Sequence, residues 1–448
     1  MSSEKNAPHR DAHDKDAPDK VAPGEDAPDK DAPDRDALVR AQYQTHPYPA
    51  RDPRDEATRL IAGSPSHLLE IDHYLFAGAR DWSRPFRALV AGGGTGDATV
   101  MLAQQLHDAG CPAEIVHLDL SAQACDIARA RLAMRKLTNV QLHQGSLLDL
   151  PAVAPGPFDY IDCCGVLHHL DDPPAGLAAL ASVLAPDGGM GLMVYGAQGR
   201  TGVYALQAAL RELAPAALAP PERIKIARRL LQGLPPTNWF KRNPFLGDHQ
   251  QGGDAGIYDL LLHARDRPYD VAGFDALIGG AGLAMVTLLE PARYQPQTYL
   301  NDPILLKQMA KLNPIQLAAI AETLAGNITK HAAYATWPTR ARACVAHAES
   351  GDWIPLLRDL DGAALGAQFK PGGSFSADLD GVTWRAALPN LASPILARID
   401  GQRSLAQIHG QLQALDVKLD WPGFKLQFDR LFAVFNAANR LFLRRARS

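Results

Sequence analysis

From residue 88 onward the chain sets short apolar runs against longer stretches in which apolar residues recur every three or four positions. The short runs are 88–91, 114–118, 140–143, 158–162 and 190–195. Four to six mostly apolar residues bounded by turn-formers predict strands buried in a sheet. Between them, residues 97–107 place Val100, Ala103 and Leu106 on one helical face and stop before Gly110. Ser121 stands as an N-cap ahead of Ala124, Ala128 and Leu132, which share the next face. A third helix over 175–184 ends at Pro186-Asp187-Gly188-Gly189. Strands alternating with helices of this length predict an α/β fold, a doubly wound and mostly parallel sheet. A helix over 271–279 and a strand over 283–289 complete it. The stretch 201–266 interrupts the beat with helical pieces broken by proline and glycine. An insertion after the fifth strand lies at the carboxyl edge of the sheet, so it reads as a helical lid over the ligand crevice.

Outside this core the pattern changes. Residues 1–37 repeat DAPDK (Asp16, Asp26) and DAPDR (Asp31), a composition that buries too little apolar surface to offset ordering entropy. Order is expected from Leu38. The aromatic, prolyl stretch 43–53 is expected to be extended, either packed on the surface or forming a flap with Tyr43 or Tyr48 near the ligand. Residues 67–78 have helical apolar spacing. The chain is expected to be helical over 294–350, and 351–448 to form a small C-terminal α+β module. There Gly372-Gly373 and Asp380-Gly381 are turn signals, Ser404 caps the second helix of a helix–turn–helix over 392–412, and Phe428, Leu431, Phe432 and Phe435 line a core face. The closing LRRARS is expected to be solvated.

Composition narrows the function. With 448 residues, 46% of them hydrophobic, the chain has material for a large core and several domains. A net charge of −4 lacks the basic excess of a dedicated nucleic-acid binder. The five cysteines show neither metal-ligand spacing nor an even disulfide framework, so they read as reduced thiols in a cytoplasmic protein. No apolar run approaches the roughly 18 residues of a membrane span, and the charged N-terminus has no signal-peptide core.

The chemistry gathers at LVAGGGTGDATV, residues 89–100. A strand enters, glycines follow, and a helix leaves, presenting backbone N–H groups and a helix N-terminus to a polar ligand. Gly92, Gly94 and Gly96 read G-x-G-x-G. The dinucleotide fingerprint needs glycine where Asp97 stands, which argues against an NAD-dependent oxidoreductase. Asp119 follows the second strand, 23 residues after Gly96, where a carboxylate can accept two hydrogen bonds from a ribose diol. HQGSLLDLP and FDYIDCCGVLHHLDDP follow the third and fourth strands.

With these four motifs in order, the chain resembles the class I S-adenosylmethionine-dependent methyltransferases over residues 87–291. The resemblance implies S-adenosylmethionine as cofactor and in-line methyl transfer to a small molecule or a protein side chain. It implies a cofactor site of Ala91, Gly92, Gly93, Gly94, Gly96 and Asp97 at the loop, with Asp119 and Leu120 at the ribose. Ser146, Leu147 and Asp149 would meet the adenine, and Cys163, Cys164 and Gly165 would line the point of transfer. One departure stands out. The family usually carries an acidic residue two positions before the first glycine, and here that residue is Val90. Asp97 is the expected replacement. The alternative reading is a cofactor-binding regulatory protein without transferase activity.

Proton transfer would fall to His168 or His169, since imidazole titrates near neutrality, or to a lid residue such as Tyr195 or Tyr204. Adjacent histidines do not share one helix face, so no metal is expected. Arg200, Tyr204 and Gln207 would face the acceptor or pack the lid. The basic lid residues Arg223, Lys225, Arg228, Arg229, Lys241 and Arg242 would either receive an acidic acceptor or form a solvated face.

Overall fold

Five parallel strands carry the glycine turn and the motif ends: β1 (Phe86–Ala91), β2 (Ala113–Asp119), β3 (Val140–Gln144), β4 (Phe158–Cys164) and β5 (Leu184–Tyr195). β6 (Ala284–Leu288) and β7 (Lys330–Thr336) complete a seven-stranded sheet of order β3-β2-β1-β4-β5-β7-β6. The computed structural model describes residues 48–416 and 418–446; the expected tail over 1–37, the onset near Leu38 and Tyr43 lie outside them.

Strand alternation sorts side chains to two faces. Leu89, Ala91, Ile161 and Cys163 join one apolar cluster, with Leu177, Phe274 and Ala318 from the helices Pro173–Ser182, Val271–Gly280 and Pro314–Ala325. Ala88, Val90 and Tyr160 join the other, with Leu75, Val100 and Leu132 from Leu68–Leu75, Asp97–Asp108 and Ala122–Met134. Helices on both faces of the sheet make it doubly wound.

The expectation that residues 294–350 are helical does not hold throughout. They include β7, which runs antiparallel between β5 and β6. Its sequence, KHAAYAT, has low intrinsic strand character; pairing on both edges makes it a strand. β5 also begins earlier than expected. Leu184 pairs with Phe158, then the register shifts and Gly189 pairs with Tyr160, so the Pro-Asp-Gly turn bulges out of the strand.

The insertion leaves and re-enters the core at one place. Ala197 N–H donates to Tyr269 O at 2.8 Å and Tyr269 N–H to Tyr195 O at 2.9 Å. Between these points the helices Val203–Leu213, Pro220–Gly233 and Gly253–Leu261 share their own apolar cluster of Leu206, Leu210, Ile224 and Leu260, joined by Phe240 of the short helix Trp239–Arg242.

In the C-terminal part, β8 (Trp353–Leu357) pairs antiparallel with β11 (Leu441–Arg445), and β9 (Ser374–Asp378) with β10 (Thr383–Ala387). The helices Leu405–Gln413 and Trp421–Ala437 pack Ile408, Phe424, Phe428 and Phe435 inward. Ser404 closes a capping box with Gln407. The LRRARS segment departs from expectation: its Leu443 is buried and Arg444 and Arg445 belong to β11, paired with Ile354 and Trp353. Among the described residues no helix is long and apolar enough to cross a membrane.

Candidate active site

At the carboxyl ends of β1, β2, β4 and β5 lies a cavity of about 410 Å³. Its rim begins with the glycine turn. Gly92, Gly94 and Gly96 have φ of 71°, 52° and 98°, a region that disfavours side chains. A Cβ on Gly92 would meet Val166 Cγ2 at 2.2 Å, and one on Gly93 the His117 ring at 2.4 Å. The turn is held by Gly92 N–H and Gly93 N–H, both donating to Leu118 O. Gly96 and Ala91 do not line the cavity. A Cβ on Gly96 would press on Ala128, so that glycine serves helix packing, and Ala91 faces the opposite apolar cluster.

Asp119 ends β2 beside this turn. Its Oδ2 accepts from Gly94 N–H and its Oδ1 from Ser121 N–H, both at 2.8 Å. Burial pushes its pKa up, against those two hydrogen bonds. Each oxygen keeps a further lone pair for a ligand. Leu120, Ser146 and Leu147 continue the wall. Ser146 Oγ is engaged in accepting from Leu148 N–H at 3.2 Å, capping the short helix Leu147–Asp149. Asp149 does not reach the cavity.

Asp97 lines the cavity but its carboxylate is committed. Oδ2 accepts from Arg51 Nη2 at 2.6 Å and Oδ1 from the buried Arg131 Nη1 at 2.7 Å. Arg131 also pairs with buried Glu56 at 2.6 Å. Tyr48 and Pro49 lie over the turn: Thr95 Oγ1 donates to Pro49 O at 2.8 Å, and Tyr48 lines the cavity, as the flap alternative anticipated.

At the end of β4, Cys164 and Gly165 line the cavity and Cys163 does not. Adjacent strand residues face opposite ways, and Cys163 is buried in the cluster behind the sheet. The residue on Cys164's face is Asp162, which the sequence reading passed over. It lines the cavity, is 2% exposed, and accepts from Ser66 Oγ at 2.5 Å and Cys164 Sγ at 3.4 Å.

The two histidines part ways. His169 lines the cavity; its Nδ1 lies 2.8 Å from Arg265 O, which can only accept, so Nδ1 carries a proton. His168 is fully buried away from the cavity, packed 4.0 Å from the Tyr195 ring, and desolvation drives its pKa well below the usual range. Tyr204 does not line the cavity either. Its hydroxyl accepts from Arg200 Nε at 3.1 Å, Arg200 pairs with Asp266 at 3.2 Å, and Gln207 donates to the same carboxylate. The Arg200 guanidinium lies 3.7 Å from the Tyr195 ring centre, so this group packs the lid and fixes Tyr195.

The lid supplies a residue that sequence reasoning missed. Asp259, from Gly253–Leu261, is buried in the cavity wall and accepts from Tyr195 Oη at 3.1 Å. Burial raises its pKa, offset in part by His169 and Arg200. Its only sequence signal was its place late in the lid. Ligand atoms of His169, Asp259 and His263 lie within 4.8 Å of one another, as do those of His168, His169 and Asp266. The His169 and His263 rings, however, stack 3.8 Å apart at 19°. A ligated ion lies near the plane of each imidazole, so those two rings do not converge on one ion as placed. Three of the six basic lid residues are engaged away from the cavity: Arg223 bonds Tyr258 Oη and Ala214 O, Arg228 pairs with Asp254, and Lys241 donates to Leu234 O; none of the six lines the cavity.

The sequence of this core is widely shared. The family described as "Methyltransferase domain" matches residues 89–190. The chain is 31% identical over 309 residues to an uncharacterized protein of Synechococcus, covering 65% of this chain and 69% of that one. It is 33% identical over 114 residues to the tRNA 5-carboxymethoxyuridine methyltransferase of Escherichia coli, covering 25% of this chain and 41% of the enzyme. In fold it is similar to PKMT2 from Rickettsia typhi in complex with AdoHcy, at 14% identity and a TM-score of 0.57, over 80% of this chain and 71% of that one. The shared core sequence and the shared sheet together place the chain in the class I S-adenosylmethionine-dependent methyltransferases.

Proposed function

We propose that the cavity holds S-adenosylmethionine across the glycine turn and that the methyl group passes to an amine nitrogen beneath the lid. The residues fit the cofactor: Asp119 keeps lone pairs for a ribose diol, and the side-chain-free turn at Gly92–Gly94 leaves backbone open to the cavity. When bound, S-adenosylmethionine supplies an electrophilic methyl on a leaving group that needs no protonation. The chain's own work is then alignment, water exclusion and removal of the acceptor's proton.

The observation that carries the amine assignment is the charge of the wall. Among the described residues, Asp119, Asp162 and Asp259 line the cavity without a salt bridge, Asp97 lines it with its charge already paired to Arg51 and Arg131, and no lysine or arginine lines it. Such a wall disfavours carboxylate or phosphate acceptors. Asp259 suits an ammonium. Tyr195 holds its Oδ2, and in a site emptied of water the neutral acid–amine pair competes with the ion pair, so the carboxylate can take the proton before attack. With Nδ1 protonated, the neutral form of His169 keeps Nε2 as a second proton acceptor in the same wall.

The test is transfer from methyl-labelled S-adenosylmethionine to parallel panels of amines, alcohols and carboxylates, small and peptide-borne. Labelled amines are expected. Label confined to carboxylates or hydroxyls would overturn the assignment. Asp259→Asn should lower kcat about a hundredfold with cofactor affinity unchanged; loss of cofactor affinity instead would move Asp259 to the cofactor's side.

A further inference from the structure

The carboxylate missing from β1 has a counterpart on the neighbouring strand. Val90 pairs with Asp162 in the parallel register of β1 and β4. Partners in such a register point to the same face, and neighbouring strands lie about 4.8 Å apart. Both residues line the cavity, and Tyr160, two residues before Asp162, packs in the same cluster as Val90. The acidic group therefore stands at the same level and on the same face, displaced by one strand.

Its surroundings suit a cationic guest. Both of its hydrogen bonds, from Ser66 Oγ and Cys164 Sγ, go to Oδ2. Among the described residues nothing bonds to Oδ1, and no salt bridge reaches this carboxylate. Asp97 differs: two guanidinium groups take its oxygens and hold its pKa down. It brings little uncompensated negative charge to a ligand, so it does not replace the residue lost at Val90. Asp119 belongs to the end of β2 and Asp259 to the lid. Strand order adds direction. A ligand whose diol sits at the end of β2 and which crosses the glycine turn reaches β1 and then β4.

We infer that Asp162 receives the ammonium of the donor's amino-acid end, with Ser66 orienting the carboxylate through Oδ2. The inference rests on the cavity being the S-adenosylmethionine site. A buried carboxylate without a counter-charge is costly, and a bound ammonium is what offsets the cost. Burial pushes its pKa up to about 6, as expected of a carboxylate awaiting that partner.

The experiment compares two ligands by calorimetry. S-adenosylhomocysteine carries the amino-acid end; 5′-methylthioadenosine keeps the adenosine and lacks that end. Asp162→Asn should weaken S-adenosylhomocysteine about 10- to 100-fold and change 5′-methylthioadenosine less than about twofold. Adding Val90→Asp to Asp162→Asn should recover part of the loss for S-adenosylhomocysteine alone. Equal weakening of both ligands would mark Asp162 as structural and overturn the inference, as would no change in either. If neither ligand binds the unaltered protein, the cofactor reading itself fails, a result distinct from both. Binding of 5′-methylthioadenosine by the variant serves as the control for folding.

Discussion

Four aspartates in one wall have four fates, set by what surrounds each carboxylate rather than by residue type. Asp97 is neutralised by two arginines, Asp119 is held by backbone N–H groups, Asp259 is held by a tyrosine, and Asp162 by a serine and a thiol. Asp119→Ala should weaken S-adenosylhomocysteine and 5′-methylthioadenosine alike, by about 1–3 kcal/mol, since both carry the ribose diol. Unchanged calorimetric affinity would remove the ribose assignment. Asp162 also leaves a mark on the ligand-free protein. Its folded pKa of about 6 stands above the 3.8 of an aspartate in the unfolded chain. Between those values the folded state holds a proton that the unfolded chain has released. Its contribution to stability therefore falls as pH rises from about 4 to 6 and is level above. At about 1.4 kcal/mol per pH unit the span is about 3 kcal/mol. Urea unfolding of Asp162→Asn at pH 8 should show a protein more stable than the original, with the difference shrinking toward pH 4. A variant less stable at pH 8 would mean that the hydrogen bonds to Oδ2 outweigh the buried charge.

At the scale of the element, the glycine turn is fixed by its neighbours as much as by its dihedral angles. Gly92 combines φ of 71° with Val166 Cγ2 at 2.2 Å from a would-be Cβ. Gly92→Ala should cost about 2–4 kcal/mol in chemical denaturation, from left-handed strain and overpacking together. An unchanged midpoint would show that Val166 can turn aside. Strand alternation is the other rule at this scale. It separates Cys163 from Cys164, and it puts Asp162 level with Val90, two facts invisible in a motif read as a string. The histidine pair obeys no such simple period, because it lies in the short helix Leu167–His169 where the chain turns off the sheet. Which ring meets the cavity is decided by the lid packed against it.

Across the whole molecule, the C-terminal part is bound to the cofactor side through the helix Leu68–Leu75. Buried Glu70 receives Arg358, Asn439 Nδ2 at 2.9 Å and Ser64 Oγ at 2.6 Å. Tyr334 of β7 donates to the same carboxylate at 3.1 Å. Phe442 of β11 enters the apolar cluster beneath β1. Ser64 lines the cavity, so β7, the helix and the C-terminal part all meet at the strap over 61–66 that forms one wall. Arg358→Met leaves Glu70 buried without its cation and should cost about 3–5 kcal/mol. Calorimetry of the unaltered protein should show the C-terminal part and the sheet melting together. A separate early transition, or an Arg358→Met variant of unchanged Tm, would mean that the ion pair does not join them.

The sequence by itself determined the local and repeating features. Apolar runs, caps and turns are set by neighbours along the chain, so β1 to β5, their helices, Ser121, Ser404 and the Asp380-Gly381 turn were legible. So was the family, because the glycine turn, Asp119 and the β4 end are short contiguous motifs. Tertiary structure decided what depends on partners distant in sequence. β7 exists as a strand because two others flank it. Arg444 and Arg445 are in a strand because β8 lies alongside. Asp97 is silenced by Arg51 and Arg131, 46 and 34 residues away, and Asp259 reaches the cavity only when the lid folds back. A side chain's charge can be read from the sequence, but whether that charge is already spent depends on its neighbours in space.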